Sequence, residues 1–488
     1  MLTSHTSPKP SRAVQLATTL IAVGIAAWAG VWLLGSHGEE PHHEAHMPHM
    51  PHMWGLGIVP FIVILSAIAA LPLLKATRHW WESNLNRFFV AMLCAAATIA
   101  FVVVERGTEA IGPMLDHAIL QDFIPFIVLL FALYVISGGI LLKGDLSASP
   151  AVNTTFLAAG ALLASFIGTT GASMLLIRPL LKTNSQRRNV VHTIVVFIFL
   201  VSNIGGTLLP IGDPPLFLGY LRGVPFTWTL QLWPAWATTC GILLVVYFFW
   251  DTMLCKRERQ VDIRHDATEH QPLRLSGSIN FLWIGGIVLA AALVNTEKPL
   301  PGTNWIPFPY MRELIMLFFV AVSLQTTRKA VRQANNFNYA AILEVAALFS
   351  GIFVAMQVPL EVLEASGTAI TTSMNEPWHF FWATGILSSF LDNAPTYVVF
   401  FHLSQTMQDG ATLEVLNGTI PISLLVAVSL GSVFMGAMTY IGNGPNFMVK
   451  AIAEQEGVAM PSFFGFMFKY SIPILVPLFI LVTLIFLL

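Results

Sequence analysis

Asp213 and Asp392 are the residues best placed to do chemistry in this chain, because each carries a carboxylate inside an apolar run. An ionisable side chain in a membrane-length apolar segment is costly, and marks a functional position by default. A carboxylate in partly desolvated surroundings holds its proton more tightly, and one beside a bound cation holds it less tightly. A single such group can therefore choose between H+ and a metal cation, which is the minimum needed to exchange one for the other. Gly212 and Pro214-Pro215 flank Asp213, while Asn393, Pro395 and Thr396 follow Asp392. Asn443 and Asn446 occupy a matching interruption, Ile441-Gly442-Asn443-Gly444-Pro445-Asn446-Phe447. Ser202, Asn203, Thr207, Ser389, Ser432, Thr439, Thr169 and Thr170 add hydroxyl and amide oxygens. With freed backbone carbonyls these would complete an oxygen cage for a hard cation such as Na+ or Li+. The plainer role for both aspartates is to cap helix N-termini, where Asp is favoured; the two roles are compatible.

The elements that must position these residues occur twice. Ala164-Ser165-Phe166-Ile167-Gly168-Thr169-Thr170-Gly171 reads against Ser388-Ser389-Phe390-Leu391-Asp392-Asn393-Ala394-Pro395. Ser202-Asn203-Ile204-Gly205-Gly206-Thr207, leading to Ile211-Gly212-Asp213-Pro214-Pro215-Leu216-Phe217, reads against Ser432-Val433-Phe434-Met435-Gly436-Ala437, leading to the Ile441–Phe447 segment. Upstream, Val135-Ile136-Ser137-Gly138 matches Leu348-Phe349-Ser350-Gly351. Paired apolar segments broken by Gly, Pro and polar residues at corresponding places point to a binding site between two repeats. Unwound backbone frees amides and carbonyls that lipid cannot satisfy, so such breaks survive only where they line a cavity or are buried in protein.

Of the 488 residues, 55% are hydrophobic and only 10% charged, against about 25% charged in soluble domains. Mean hydropathy is +0.71. This is the composition of an all-α polytopic membrane protein, and the net charge of −2 suggests no nucleic-acid partner. Cys94, Cys240 and Cys255 are scattered and give neither a disulfide frame nor a metal motif. Apolar runs near the length of a bilayer span fall at Ala13–Leu34, Trp54–Leu74, Phe88–Val104, Phe123–Leu142, Asn189–Pro210, Trp228–Trp250, Ser278–Val294, Pro309–Leu324, Tyr339–Val362, Pro421–Val449 and Phe463–Leu488. That gives about 11 transmembrane helices. Thr154–Leu181 and Trp378–Leu403 are shorter and interrupted, and read as two re-entrant helical hairpins. The first run, preceded by Lys9 and Arg12, reads as a retained signal-anchor rather than a cleaved signal peptide.

Four regions follow: 1–87, N-terminal helices with a His-rich outer loop; 88–250, a first repeat with a hairpin at about 154–181 and a broken helix at about 189–220; 251–276, a cytoplasmic linker; and 277–488, a second repeat with a hairpin at about 378–403 and a broken helix at about 421–455. Lys9/Arg12, Lys75/Arg78/Arg87, Lys143, Arg178/Lys182/Arg187/Arg188, Lys256/Arg257/Arg259/Arg264 and Arg328/Lys329/Arg332 fall on one side of this scheme. Loops on the other side carry Glu39, Glu40, Glu44, Glu109, Asp116, Glu361, Glu364, Glu376, Asp409 and Glu414. By the positive-inside rule the N-terminus is cytoplasmic and the C-terminus outside, with the inner membrane of a bacterium the expected location. The hairpins then enter from opposite faces, so the repeats are inverted and their tips meet near the midplane.

Other polar residues carry less. Glu344 reads either as a proton relay or as a solvated acid at a helix start. Glu105 beside Arg106 reads as an interfacial pair, and Lys469 as a snorkelling cation. His42, His43, His46, His49 and His52, with His37 and interspersed methionines, form a tract that could bind Cu, Ni or Zn weakly or respond to pH; a solvated loop is its default reading. His79-Trp80-Trp81-Glu82 sits at an interface, where Trp is usually a belt residue.

The Leu391-Asp392-Asn393-Ala394-Pro395 tip, the Ser202–Gly206 segment leading to Pro210-Ile211-Gly212-Asp213, and the His79–Glu82 stretch resemble the ion transporter superfamily, in particular its NhaD-type sodium/proton antiporters. The superfamily also holds arsenite permeases, citrate carriers and divalent anion/sodium symporters. The resemblance covers roughly Phe88 to the C-terminus. It implies a scaffold plus a mobile domain that carries hairpins and broken helices, elevator-type alternating access, and commonly a homodimer in the lipid bilayer. No cofactor is implied; Na+ or Li+ and H+ are the ions carried. The sequence departs from the symporter branch, which has Ser-Asn-Thr at both tips, because here the tips are Gly168-Thr169-Thr170-Gly171 and Asp392-Asn393. The leading expectation is sodium (or lithium)/proton exchange. The alternative is proton- or sodium-coupled transport of a small anion such as a dicarboxylate, citrate or arsenite. A sensor or metal-handling role built on the His tract is a third possibility, and no nucleophile–base pattern suggests an enzyme.

Overall fold

Every apolar run read from Trp54 onward becomes a helix, because in lipid a helix satisfies its own backbone donors and acceptors. The computed structural model describes residues 53–258 except 73 and 75, then 271–294, 299–300, 303–371, 374–407, 410–416 and 418–488, all within one compact unit, Met50–Leu488. The first apolar run and the whole His tract lie outside the described residues. The helices in order are α1 Trp54–Ala70, α2 Asn84–Arg106, α3 Ile124–Ser137, α4 Pro150–Ile167, α5 Thr169–Thr183, α6 Val191–Leu200, α7 Pro214–Leu221, α8 Trp233–Cys255, α9 Ile279–Leu293, α10 Met311–Thr326, α11 Ala340–Ala355, α12 Gln357–Thr371, α13 Pro377–Phe390, α14 Asn393–Gln405, α15 Ile422–Met435, α16 Gly444–Gln455 and α17 Ile472–Phe486. Short helical turns fill some of the connections, and π-helical turns at Asp116–Phe123 and Met467–Ser471 lead into α3 and α17.

Among the described residues, five helices are long and apolar enough to cross a bilayer, or six if the pair Ala340–Ala355 and Gln357–Leu363, bent by 42°, counts as one span. The runs at Trp54–Ala70, Val191–Thr207, Ile279–Leu293 and Ile422–Met438 are shorter apolar helices. Large apolar side chains such as Phe89, Val104, Phe249 and Phe318 stay more than half exposed, as expected for surfaces that meet lipid rather than water. The fold is that of an all-α polytopic membrane protein.

Some expectations need correction. Two antiparallel ribbons interrupt the helical fold: β1 Leu141–Asp145 pairs with β2 Gln271–Ser276, and β3 Thr412–Val415 with β4 Gly418–Pro421. The linker region 251–276 thus ends in a strand. The first hairpin begins earlier than its interrupted core suggests, and its first limb, α4, passes the length and apolarity test for a span. Gly168, at φ +78°, is the lone residue between α4 and α5; with no Cβ it tolerates the left-handed conformation that reverses the chain. The extra length between Gly351 and Phe390, without counterpart in the first repeat, includes α12. Arg106 pairs with Glu361 at 2.7 and 2.6 Å rather than with neighbouring Glu105, which accepts from the Met53 amide.

The first hairpin is closed at its open end by polar residues that the apolar pattern gave no reason to connect. Asn153 on α4 and Asn184 after α5 exchange amide hydrogen bonds at 2.8 and 2.9 Å. Asp251 on α8 accepts from Arg187 at 2.6 and 3.0 Å, lies 2.8 Å from His192 Nε2, and accepts from Asn153 at 3.3 Å. Ser149 begins α4, its Oγ accepting from the Val152 amide at 3.2 Å. Ser149→Ala removes that cap and is expected to cost about 1 kcal/mol, read as a lower thermal unfolding midpoint in detergent.

Candidate functional site

Two hairpin tips and two helix breaks meet at Asp213. Pro214 and Pro215 start α7 where their missing amides cost nothing, and this fixes Asp213 in extended conformation at the break. The carboxylate is 1% exposed. Its Oδ1 accepts from Thr169 Oγ1 at 2.9 Å, at the first hairpin tip, and from Asn443 Nδ2 at 2.9 Å, in the second break. Its Oδ2 accepts from Asn393 Nδ2 at 2.6 Å, at the second tip. All three donors are neutral side chains. Four helices begin here: α5 at Thr169, α7 just after Asp213, α14 at Asn393 and α16 just after Asn443. Each N-terminus contributes about half a positive charge, so the burial of the carboxylate is offset by backbone dipoles rather than by a cation.

A second set of bonds ties the breaks to each other. Asn443 Nδ2 also donates to the Ser202 carbonyl at 3.0 Å. Asn203 Nδ2 donates to Asn446 Oδ1 and to the Ile198 carbonyl, both at 2.7 Å. Asn446 Nδ2 donates to the Gly436 and Thr439 carbonyls, both at 2.9 Å. These carbonyls lie where helical bonding stops, so amide side chains replace lost helix partners. Two buried amide oxygens, Asn203 Oδ1 and Asn393 Oδ1, accept no hydrogen bond.

The two halves repeat in contact as well as in sequence. Ser165 Oγ donates to the Gly205 carbonyl at 2.5 Å, and the corresponding Ser389 Oγ donates to the Met435 carbonyl at 3.0 Å. Gly212 abuts the Gly206 carbonyl as Gly442 abuts that of Gly436. In each half a Ser on the hairpin limb and a Gly–Gly contact clamp the break.

Of the residues singled out from sequence, Asp213, Thr169, Asn393, Asn443, Ser202, Asn203 and Asn446 fall in one continuous network. Thr207 and Thr396 are buried but bond locally, to the Ile204 and Asp392 carbonyls. Ser389 and Thr439 bond around the second break, Thr439 donating to the Ser389 carbonyl, and Ser432 donates to the Ser429 carbonyl in its own helix. Thr170 is half-buried, with no hydrogen bond to Asp213 among the described residues. Asp392 is the N-cap of α14: its Oδ1 accepts from the Ala394 amide at 3.1 Å, and it makes no hydrogen bond to Asp213. Glu344 lies elsewhere, paired with Arg87 at 2.9 Å. Arg178 points its guanidinium at the Asn335 carbonyl, 3.3 Å away. Two residues were missed: Ser173, whose Oγ is 2.9 Å from that of Ser202, and Ser165 as a ligand to the break. Both are hydroxyls on the apolar hairpin limbs; Ser165 is also signalled by its alignment with Ser389 in the repeat, whereas Ser173 gives no further sign.

Residues 49–487 match the CitMHS_2 family, described as "Putative citrate transport". A search of curated proteins returns no match. Since the match spans nearly the whole chain and the fold is a polytopic helical bundle with paired hairpins and breaks, the protein belongs to this transporter family.

Proposed function

We propose that the protein is a cation-coupled secondary transporter in which Asp213 takes up and releases the coupling ion, a proton or a sodium or lithium ion. One observation carries this reading: a fully buried carboxylate gathers neutral donors from both hairpin tips and from the opposite break. The free oxygens of Asn203 and Asn393 support it, since amide and carboxylate oxygens are what a hard cation takes in exchange for water. The solute is a small citrate-class anion. Family membership favours that choice, and so do the four helix N-termini, which suit anionic groups. An anion entering beside Asp213 needs a positive partner, and the coupling cation would supply it. The movement is elevator-type, the hairpin-bearing part sliding against the rest.

A second reading, exchange of sodium or lithium for protons without organic solute, is favoured by the absence, among the described residues, of any cationic side chain bonded to Asp213. Proteoliposomes separate the two. Labelled citrate driven by an imposed pH or sodium gradient should accumulate under the first, and sodium-dependent proton efflux without citrate is expected under the second. Neither signal from sealed, oriented vesicles would refute cation coupling altogether.

A further inference from the structure

Asp122, Arg222, His402 and His117 form a cluster that the ion site does not use, with Asp122 and Arg222 buried and His117 reaching the surface. Arg222 caps the C-terminus of α7, and its Nη2 donates to Asp122 Oδ2 at 2.9 Å. Arg222 Nη1 donates to the Leu218 carbonyl at 3.2 Å, and its Nε donates to His402 Nε2 at 3.5 Å. That bond requires an unprotonated Nε2, so His402 is neutral in this arrangement. On the other side, His117 Nδ1 lies 3.8 Å from Asp122 Oδ2 and makes no hydrogen bond. Asp122 and Arg222 side chains are 6% and 9% exposed, whereas His117 is 38% exposed and can meet solvent protons.

The position of this cluster matters more than its composition. Helices α7 and α14 both begin at Asp213 and pack along each other, Gly219 lying against the Tyr397 hydroxyl. At 1.5 Å per residue, Arg222 at the end of α7 lies about 12 Å along the axis from the site, and His402 in the last turn of α14 about 14 Å. Asp122 and His117 belong to a separate element, the π-helical turn Asp116–Phe123, and π turns often mark functional sites. The Arg222–Asp122 pair therefore fastens the two half-helices that start at the site to a different part of the fold.

We propose that this cluster is a proton-operated latch. With His117 neutral, Arg222 holds Asp122 and the latch is closed. With His117 protonated, its ring supplies Asp122 with a counter-ion from its own turn and competes with Arg222 for the same carboxylate oxygen, while His402, enclosed beside Arg222, stays the neutral acceptor that receives the Arg222 Nε proton. The half-helices are then free of the turn. Other charged or titratable groups nearby are engaged elsewhere or point away. Asp116 accepts from Gln121, Tyr310 donates to the Leu120 carbonyl, Arg312 pairs with Glu313 over the Phe217 and Tyr220 rings, and Glu361 of α12 pairs with Arg106. Tyr397 on α14 and exposed Glu414 on β3 complete the surroundings, and among the described residues no carboxylate other than Asp122 lies within 4.0 Å of either histidine.

The test is hydrogen–deuterium exchange of the full chain in detergent, read on peptides covering 218–224 and 412–416, the second including Leu416, whose amide bonds the Arg222 carbonyl. The pH runs from about 5 to 8, where histidine titrates, with correction for intrinsic exchange. Protection should be high at the alkaline end and fall as pH drops. His117→Gln cannot charge and should abolish the transition, whereas His402→Gln keeps an acceptor for Arg222 and should leave the transition in place. Asp122→Asn should leave both peptides unprotected at every pH. A flat wild-type profile, or one unchanged in His117→Gln, overturns the latch. If Asp122→Asn does not fold, His117→Gln decides alone. The readout does not depend on transport, so failure of the transport reading would leave it standing.

Discussion

Asp213→Asn is expected to abolish cation coupling while leaving the protein folded. The carboxylate is buried and receives three hydrogen bonds, so an amide in its place brings a donor where Asn393 now donates. That conflict has a ready solution. Asn393 Oδ1 is unpartnered, and rotation of its amide would present this acceptor to the new NH2 group. The folding cost should therefore stay near 1 kcal/mol, the scale of one exchanged hydrogen bond. What cannot be recovered is a group able to change charge. We expect the gradient-driven rate in proteoliposomes to drop by about two orders of magnitude, as when a proton-handling side chain is removed, with the unfolding midpoint little changed. Asp392→Asn is the contrast. Asp392 caps α14 through the Ala394 amide, and Asn caps about as well as Asp, so transport should survive with a modest loss. The reverse pattern, with Asp392→Asn inactive and Asp213→Asn active, would move the ion site to the hairpin cap.

The two aspartates stood equal in the sequence, and they separate only in three dimensions. Both follow or begin a break, both precede Pro within three residues, and capping suits each. Asp213 differs because its neighbours come from residues 44, 180 and 230 positions away, and a single sequence carries no direct record of such distances. The repeat was legible because the breaks need Gly and Pro at fixed offsets, and those residue types survive as a pattern even when the side chains between them differ. Helix positions were legible for the simpler reason that lipid demands long apolar runs. The Asp251–Arg187–His192 cluster and the Asp122–Arg222 pair were not. Each is assembled from lone polar residues on separate elements, and each alone reads as an interfacial charge. Arg222 is buried against Asp122, so a rule about charges in loops does not reach it.

Gly212→Ala and Gly442→Ala should each damage the fold severely. At Gly212 an added Cβ would run into the carbonyl of Gly206 and sit 3.0 Å from Ser165 Cα. At Gly442 it would lie 2.5 Å from the Gly436 carbonyl and 2.8 Å from that of Ser388. All these obstacles are backbone, which cannot rotate aside as a side chain can. Overpacking of this kind costs about 3 kcal/mol or more when nothing yields. The glycines directly precede Asp213 and Asn443, so any relief by backbone shift also moves the carboxylate or its donor away from Thr169 and Asn393. Each variant should thus show a lower unfolding midpoint in detergent, and the molecules that fold should transport poorly. Gly444→Ala provides the control, since a Cβ there meets nothing within 4 Å and alanine favours the first turn of α16; its stability should equal or exceed that of the wild type. If Gly212→Ala and Gly442→Ala behaved like Gly444→Ala, the two breaks would not be held by glycine contacts. The matched geometry of the halves would then need another cause.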